Sequence, residues 1–438
     1  MLKVAKFGGS SVAEAQQFKK VKAIIQSDPS RKIVVVSAAG KRTANDHKLT
    51  DLLYLCHAHL NYGVPCDDIL NTVRNRFSEI RDDLGLQYDV VKAFDTLRAK
   101  LDRNTSVDEL VSRGEYFTAQ LMAEYLEYKF LDAADCVFFG LDGKFDLEKT
   151  YKSIREAASR NTGVVIPGFY GSLPSGKIRV MSRGGSDISG ALAAAAVGAD
   201  VYENWTDVSG ILMADPRIVD HPAPIECITY NELRELAFMG ASVLHEDSVQ
   251  PVKKAGIPLN IRNTNQPQHP GTMIVAEVTH VEKNRERFIT GISGRQNFSV
   301  LTLQKHNMNS SQNLRQALEI LERYNVPVEH ITLGMDSFAL VSPSTALNDK
   351  LFEVMSDLRK TCHPDDIDIQ ENMALVAVVG RKMTYRPGTS GKIFQCLGQN
   401  NINIRTINQA ADEISIVVGV NNSDYETAIR LLYDSFAG

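Results

Sequence analysis

The chain has 438 residues, of which 43% are hydrophobic and 23% are charged, values typical of a globular protein with more than one domain. Its 48 Lys and Arg residues nearly balance 53 Asp and Glu residues, and this net charge of -5 argues against nucleic acid as a partner. No apolar run reaches the roughly 18 residues that a membrane helix needs. The six cysteines form no CxxC pair, which favours reduced thiols. We therefore expect a cytoplasmic enzyme with no membrane partner.

The N-terminal part alternates predicted strands and helices. Short β-branched runs at Lys3–Phe7 and 32–38 flank residues 14–26, whose apolar side chains recur on one helical face. This pattern predicts a βαβ unit with a buried parallel sheet. Further predicted elements are strands at 136–139, 163–169 and 200–205, and a helix at 187–197. Residues 50–131 are more polar and predict a helical subdomain inserted into the sheet.

A Pro- and Asn-rich loop at 263–271 precedes a different pattern. Residues 298–370 predict the order βαββαβ, and residues 373–436 predict βαββα, so the second copy lacks its last strand. The apolar run 288–292 (FITGI) is a candidate for that strand, because an unpaired sheet edge is unfavourable. We predict a catalytic domain at 1–281 and two small α+β modules at 282–370 and 371–438, interleaved through 288–292.

The motif KFGGSSV (residues 6–12) joins the first strand to the first helix. Gly8 and Gly9 let backbone N–H groups approach an anion, Ser10 adds a hydroxyl donor, and Lys6 adds a positive charge. The Walker pattern and GxGxxG are both absent, so a nucleotide site here is of another kind. The alternative is a capped strand–helix turn beside a surface lysine.

A second glycine turn, SRGGSD at 182–187, also lies between a strand and a helix. Arg183 is suited to clamp a carboxylate or phosphate, and Ser186 or Asp187 is predicted to cap the following helix. In a parallel sheet both turns are expected at the carboxyl edge, where ligands bind. Two further polar segments are SRGE (112–115) and WTDVSGILMADPR (205–217). In isolation, a helix-dipole partner at Glu115 and a polar loop at 205–217 are the alternatives.

These motifs, with GFYG at 168–171 and in this order, resemble those of the aspartate kinases of the amino acid kinase superfamily. The C-terminal repeat resembles their paired ACT domains. The resemblance implies an α/β fold, an open, mostly parallel sheet sandwiched by helices, followed by two ferredoxin-like α+β modules. It also implies ATP-dependent phosphorylation of the side-chain carboxylate of L-aspartate, with Mg²⁺. The product, 4-phospho-L-aspartate, leads to lysine, threonine and methionine.

The resemblance also assigns roles to residues. Lys6 and Asp187 are the implied catalytic pair, with no protein-held metal site. The nucleotide is expected to contact Lys6, Gly8, Gly9, Ser10, Thr206, Asp207, Asp215 and Arg217. The aspartate is expected to contact Ser37, Thr50, Glu115, Phe169, Arg183 and Ser186. An effector is expected near Val328, Glu329, Asn401, Ile402, Gln409 and Glu413. Independently of family, a cationic Arg183 and an anionic Glu115 suit a zwitterionic substrate.

One residue departs from the family pattern. Where many relatives have GAKVLHP, this chain has GASVLHE at 240–246, with Ser242 in place of the lysine. Arg217 and Lys253 are the candidates to replace its charge. The polar stretch 41–51 is expected to act as a lid over the substrates.

Regulation and alternatives also follow from the resemblance. We expect feedback inhibition by lysine, with threonine as the alternative effector, and a homodimer or homotetramer formed through the ACT-like modules. Two other functions are weighed against this one. The first is an amino acid kinase acting on glutamate, N-acetylglutamate or carbamate, which the SRGE and WTDVSGI segments oppose. The second is a non-catalytic amino-acid sensor, which only Ser242 supports.

Overall fold

The computed structural model describes residues 1–182, 184–241, 244, 246–278, 289–306, 310–381, 383, 386–409 and 411–437. Contacts divide the chain into two compact units. The first comprises Met1–Ile211, Glu226–Tyr230 and Val243–Thr279, and the second Leu212–Ile225, Asn231–Ser242 and His280–Gly438. Two segments of the predicted N-terminal domain therefore group with the C-terminal residues. In the described ranges, no helix combines the length and apolarity that crossing a membrane requires.

The first unit is built on a sheet with eight strands among the described residues. They are β1 (Lys3–Phe7), β2 (Arg31–Val36), β3 (Lys129–Phe130), β4 (Val164–Pro167), β7 (Val201–Thr206), β10 (Cys227–Thr229), β11 (Leu259–Asn263) and β12 (Thr272–Val275). Their order is β10-β12-β11-β7-β1-β2-β4-β3, and only the β11–β12 pair is antiparallel. A hairpin of β5 (Tyr170–Ser172) and β6 (Ile178–Val180) lies outside this sheet. The central strands are apolar and buried, as parallel strands covered on both faces must be.

Helices connect these strands. They are α1 (Ala15–Gln26), α2 (Leu49–Tyr62), α3 (Asp67–Leu84), α4 (Val90–Arg98), α5 (Val107–Val111), α6 (Arg113–Leu126), α7 (Ala133–Cys136), α8 (Leu147–Arg160), α9 (Gly185–Val197) and α11 (Glu246–Ala255). Residues of α2, α3, α4 and α6 share one hydrophobic core with α1 and with β1 and β2. The helices of the 50–131 stretch therefore pack directly on the sheet, through side chains such as Leu53, Phe77 and Phe94.

Two local predictions were wrong. Residues 136–139 form no strand: Cys136 ends the short helix α7, and Phe138 and Phe139 make only isolated bridges. Neither Ser186 nor Asp187 caps α9, because Gly184 is the N-cap residue and both lie inside the first turn. Gly184 has a φ of 76°, a left-handed conformation that glycine adopts without strain.

The second unit contains a six-stranded sheet within the described residues, in the order β14-β15-β13-β16-β18-β17. Its strands are β13 (Gly291–Gln304), β14 (His330–Leu333), β15 (Ser337–Pro343), β16 (Asp366–Val379), β17 (Thr406–Gln409) and β18 (Ser415–Asn421). Its helices are α10 (Tyr230–Phe238), α12 (Ser310–Arg323), α13 (Ser344–Leu347), α14 (Leu351–Cys362), α15 (Thr389–Gln399) and α16 (Tyr425–Ala437). The short strands β8 (Ile211–Leu212) and β9 (Pro224–Ile225) pair with each other at the start of this unit. All sheet pairs of β13–β18 are antiparallel.

Two long strands serve both α+β repeats. The 298–304 half of β13 pairs with β15 and with the 366–373 part of β16, while its 291–295 half pairs with residues 375–379. Both strands change register near residues with left-handed backbone, Asn297 at φ 67° and Asn372 at φ 60°. Gly291 and Ile292 thus pair with Val379 and Val378; the rest of the 288–292 run includes Phe288, outside the described residues. The domain limits and the interleaving of the modules stay predictions.

Candidate active site

The carboxyl ends of the central strands bring the N-terminal motifs together. In register, Phe7 at the end of β1 faces Val36 of β2 on one side and Trp205 of β7 on the other. Gly8, Ser37 and Thr206, which follow these residues, therefore lie side by side at one sheet edge. Backbone bonds join them: the Gly8 N–H donates to Trp205 O at 2.9 Å, and the Ser37 N–H donates to Phe7 O at 3.1 Å. This edge is where ligands bind in open α/β sheets.

Lys6 is buried at this edge and forms an ion pair with Asp187. Its Nζ lies 2.5 Å from Asp187 Oδ1, and it donates to Asn204 Oδ1 at 3.4 Å. The Asn204 amide in turn donates to Asp187 Oδ1 at 2.9 Å. Lys6 comes from β1, Asn204 faces it in register on β7, and Asp187 lies in the first turn of α9. The triangle of side chains fixes the ammonium at the amino-terminal end of a helix, which is favourable for anions.

Gly9 and the neighbouring Gly40 are packed too closely for larger residues. A Cβ at Gly9 would lie 2.9 Å from the Ala38 carbonyl oxygen. The neighbouring Gly40 donates its N–H to Gly9 O at 2.8 Å, and a Cβ there would lie 2.5 Å from the Gly9 carbonyl carbon. Both loops therefore need glycine for close backbone approach. The half-buried Ser10 follows in a 3₁₀ turn, Gly9–Val12.

Glu115 is a buried carboxylate in the first turn of α6. Only 4% of the residue is exposed, and its Oε2 has no hydrogen-bond partner among the described residues. Burial raises the pKa of Glu115 to about 8, although the backbone N–H groups of Ala38 and of Glu115 itself oppose this shift. Ala38 follows Ser37 at the sheet edge. A buried carboxylate with a free oxygen is unlike the solvated helix-dipole partner that was the alternative, and it suits an incoming cation.

The second glycine turn packs against Phe169. This residue has a φ of 76°, which is strained for a side chain of its size, and its N–H donates to Ser189 Oγ at 3.0 Å. A Cβ at Gly168 would lie 2.8 Å from Ser186 Cβ. Since the Gly168 N–H also donates to Val36 O, Phe169 and Ser186 both lie near Ser37. The strain at Phe169 is consistent with a position set by function.

The structure places the other predicted residues as follows. Thr50 is half-buried in the first turn of α2, and Thr206 donates its hydroxyl to the exposed Asp207 at 3.1 Å. Asp215 and Arg217 lie in the second unit, where the Arg217 side chain lowers the pKa of Asp215. Arg183, Ser242 and His245 lie outside the described residues. The predicted lid, Lys41–Asp51, begins in the loop before α2 and ends in the first turn of that helix.

The predicted effector positions lie in the second unit. Glu329, just before β14, has its carboxylate 3.1 Å from Arg295 Nη1. The edge strands β14 and β17 face each other, since His330 Nδ1 lies 2.6 Å from Asn408 Nδ2. This contact brings the segment with Val328 and Glu329 close to Gln409. Two other predicted positions, Asn401 and Glu413, have left-handed backbone in the turns before β17 and β18, and Ile402 is buried.

Sequence reasoning missed Asn204. It lies in the predicted strand 200–205 as a polar residue between buried neighbours, and a polar residue in a buried parallel strand is a signal for a functional contact. Its partner, however, depends on the register between β1 and β7, which joins residues 198 positions apart. Among the described residues, no group of three or more His, Cys, Asp and Glu side chains is arranged to hold a metal ion.

Comparisons with known proteins agree with this geometry. Residues 1–263 match the model of the amino acid kinase family, and residues 376–436 match an ACT domain. Aspartokinase 3 of Bacillus subtilis (strain 168) is 33% identical over 99% of this chain and 98% of its own length. The solved structure of Clostridium acetobutylicum aspartate kinase is 45% identical, with a TM-score of 0.92 over 99% of both chains. Escherichia coli aspartokinase III, solved with aspartate and ADP, is 27% identical, with a TM-score of 0.76 over 100% of both chains.

The fold and the glycine-lined sheet edge thus define an amino acid kinase with a C-terminal ACT region. Within that class, the chain belongs to the aspartokinase family. Its activity is the ATP-dependent phosphorylation of the side-chain carboxylate of L-aspartate, which begins the route to lysine, threonine and methionine, and the ACT region makes it a regulated enzyme.

Proposed function

We propose that Lys6, the glycine turn and Asp187 carry the phosphoryl transfer, and that Glu115 holds the amino group of the substrate. The observation that supports this assignment most strongly is the buried Lys6–Asp187–Asn204 triangle at the sheet edge. A carboxylate is already a nucleophile, so the reaction requires charge neutralisation and positioning more than a strong base. A buried ammonium at the site of phosphoryl transfer supplies that neutralisation.

In the proposed reaction a side-chain carboxylate oxygen of aspartate attacks the γ-phosphorus of ATP, and the bond from that phosphorus to the bridging oxygen breaks to release ADP. Lys6 stabilises the negative charge on the transferred group. The Gly9 backbone N–H and the Ser10 hydroxyl face the phosphates, and Gly8, whose own N–H donates to Trp205 O, lines the approach without a side chain. Asp187 and Asn204 hold the Lys6 ammonium in place, so little reorganisation is needed during the reaction. Thr206, Asp207, Asp215 and Arg217 hold the remainder of the nucleotide.

The aspartate pocket is proposed around Glu115. Its free Oε2 is a partner for the α-ammonium of the substrate, and the arriving cation lowers the pKa of Glu115 again because opposite charges favour the ionised form. Ser37, Thr50, Phe169 and Ser186 complete the pocket. Arg183 is proposed as the clamp on the α-carboxylate because its guanidinium forms bidentate contacts with carboxylates.

Mg²⁺ is proposed to arrive with ATP and to neutralise part of the phosphate charge. Asp187 is the residue whose carboxylate chemistry suits a water ligand of that ion, since Mg²⁺ keeps several waters in such sites. We also propose a cytoplasmic location, consistent with free thiols at Cys56, Cys66, Cys136, Cys362 and Cys396. A homodimer or homotetramer formed through the ACT modules is proposed from the same family pattern.

Lysine is the proposed effector, with threonine as the alternative. A lysine effector needs a carboxylate for its ε-ammonium, and Glu329, whose Oε1 accepts from Arg295 Nη1 and whose side chain is 11% exposed, is the candidate through its other oxygen. A relative named lysine-sensitive aspartokinase 3, from Escherichia coli, is 29% identical over 99% of this chain. The structure of Escherichia coli aspartokinase III has also been solved with lysine and aspartate.

The test of the proposed function is acyl-phosphate formation trapped with hydroxylamine. We expect product from ATP and L-aspartate but none from L-glutamate or N-acetylglutamate. Lysine should inhibit at concentrations where threonine does not, and Glu329→Gln should weaken that inhibition while leaving uninhibited turnover intact. Product from glutamate, or folded protein that binds an amino acid without turnover, would contradict the assignment.

A further inference from the structure

Arg76 is a buried cation that the proposed chemistry does not use. It lies on α3 with only 4% of the residue exposed. Its Nη1 donates to His47 O at 2.9 Å, its Nη2 donates to Gly40 O, and Nη2 lies 3.3 Å from Asp46 Oδ2. Its Nε has no hydrogen-bond partner among the described residues. The guanidinium is therefore directed mainly at backbone carbonyls rather than at a bidentate carboxylate.

Both carbonyls belong to the loop between β2 and α2, residues 37–48, which contains no helix or strand. The contacts at Gly40 and His47 lie seven positions apart, so one planar side chain spans most of the loop. Asp46 connects the loop to Arg76 a second time. Its Oδ2 accepts from the Arg42 N–H at 3.1 Å within the loop and lies 3.3 Å from Arg76 Nη2. Together these contacts hold the loop to the body of α3.

The loop in turn contacts the phosphate turn. Gly40, held by Arg76, donates its N–H to Gly9 O at 2.8 Å, and the two backbones are so close that a Cβ at Gly40 would lie 2.6 Å from that oxygen. Ser37 and Thr50 flank the same loop. A displacement of Gly40 therefore changes both the shape of the glycine turn and the spacing of two proposed aspartate contacts.

Energetics favour a positional role over a purely stabilising one. Burying a guanidinium carries a large solvation cost, which only well-placed partners offset. An apolar residue of similar volume would fill the space at lower cost. The fixed fork of arginine, however, can hold two carbonyls at a set separation, which lysine and methionine cannot.

We propose that Arg76 is a positioning residue for phosphoryl transfer, which fixes the 40–47 loop against the Gly8–Gly9 turn. This proposal rests on the proposed function of that turn. Arg76 touches neither substrate in this role. It acts through Gly40, whose position sets the turn, and through the loop that joins Ser37 to Thr50.

The test uses Arg76→Lys, which keeps the charge but cannot hold both carbonyls, with Arg81→Lys on the same helix as the matched control. We expect the KM for aspartate to rise about tenfold or more in Arg76→Lys, with a smaller change in kcat, because small displacements remote from the chemistry are costly. Trypsin should cut after Lys41, Arg42 or Lys48 about tenfold faster, while the rest of the chain stays intact. Arg81→Lys should match the unaltered enzyme in both measurements.

A fall in kcat that follows the folded fraction, with unchanged KM and unchanged cleavage of the loop, would show a merely structural role. If Arg76→Lys does not fold, Asp46→Asn is measured instead. A smaller rise in the KM for aspartate supports the proposal, and an unchanged KM overturns it. Lys6→Met is measured alongside. If Lys6→Met loses turnover but Arg76→Lys keeps the KM and the cleavage rate of the unaltered enzyme, only the positioning role is overturned. If Lys6→Met keeps full turnover, the proposed site is overturned, and this proposal with it.

Discussion

Lys6 is the residue whose removal most directly tests the chemistry. Its ammonium is buried against Asp187 and Asn204, in a position to meet charge that develops during transfer. Loss of one such preorganised electrostatic contact typically lowers kcat by about 10²–10³. We expect Lys6→Met to fold and to lose turnover to this extent in a coupled ADP-release assay.

The matched control is Lys3→Met on the same strand. Lys3 pairs with Asp28 and with the buried Glu203, away from the carboxyl edge, so its removal is expected to lower stability but to leave kcat of the folded enzyme within about twofold of the original. Equal losses in the two variants would indicate a general effect on β1 rather than a catalytic role for Lys6.

If Glu115 holds the substrate's amino group as proposed, its raised pKa makes substrate use depend on pH. Its carboxylate must be ionised to hold an ammonium, and burial raises its pKa to about 8 in the free protein. We therefore expect kcat/KM for aspartate to increase about tenfold per pH unit below that pKa and to level off above it. The profile of Glu115→Gln should be low and lack this rise; an identical pH profile in the two proteins would exclude Glu115 as its source.

The same shift has a consequence for folding. Because the folded state favours neutral Glu115, it binds more protons than the unfolded state between the ordinary glutamate pKa and about 8. The contribution of Glu115 to the free energy of unfolding is therefore expected to fall as pH rises through this window. Urea unfolding of Glu115→Gln should show a correspondingly smaller decline with pH than the unaltered protein.

At the scale of elements, the loops at the sheet edge that contain Gly8 and Gly40 differ in how well they tolerate a side chain. A Cβ at Gly40 would meet the backbone of Gly9 at 2.5 Å, which neither loop can relieve, whereas a Cβ at Gly8 would meet only ordinary contacts at 3.6 and 3.7 Å. We expect Gly40→Ala to destabilise the fold by about 1–3 kcal/mol, as overpacking does. Gly8→Ala should keep the melting temperature and raise the KM for ATP, since the new methyl group lies beside Lys6 Nζ. Equal melting temperatures in both variants would contradict the packing seen here.

Elements with strong local signals were predictable, and those defined by distant partners were not. The strand Lys3–Phe7 was predicted to the residue, because a β-branched run ends there at a Gly-Gly turn. The long strands β13 and β16 were each read as two strands, since their breaks at Asn297 and Asn372 look locally like turns. Each long strand continues from one repeat into the other. This continuity depends on pairing between residues far apart in sequence, which local patterns do not reveal.

The candidate site divides in the same way. Lys6, Gly8 and Gly9 lie at a strand–helix turn whose composition predicts anion binding, whereas the catalytic role of Asp187 came from the family resemblance, and these roles stay predictions. Asn204 and Arg76 were missed because their roles depend on tertiary neighbours: one on strand register, the other on a loop 29 to 36 positions away. Charge and glycine patterns therefore predict where the chemistry takes place, while the residues that position these groups can be recognised only from the fold.

At the scale of the whole molecule, Asp215 and Arg217, which are predicted to contact the nucleotide, belong to the second unit. Both lie in the segment 212–225. Its hydrogen bonds within that unit include Ile292 N–H to Met213 O at 2.7 Å, Arg430 Nε to Ile218 O at 2.7 Å, and Ala223 N–H to Tyr433 Oη at 2.8 Å. Two of these partners lie on α16, the last helix of the second ACT-like repeat.

We therefore expect the double variant Arg430→Met with Tyr433→Phe to raise the KM for ATP several-fold while the KM for aspartate stays constant. Each substitution removes one hydrogen bond to the segment, worth about 1 kcal/mol, or roughly a factor of five, and Arg430→Met also removes an exposed ion pair with Glu426 within α16. Lys392→Met is the control, because Lys392 contacts α16 at Ser435 and does not touch segment 212–225. Steady-state kinetics with each substrate varied in turn would measure both constants. A rise in the KM for aspartate alone would mean that α16 acts on the amino-acid pocket, and unchanged constants would mean that Asp215 and Arg217 keep their places without it.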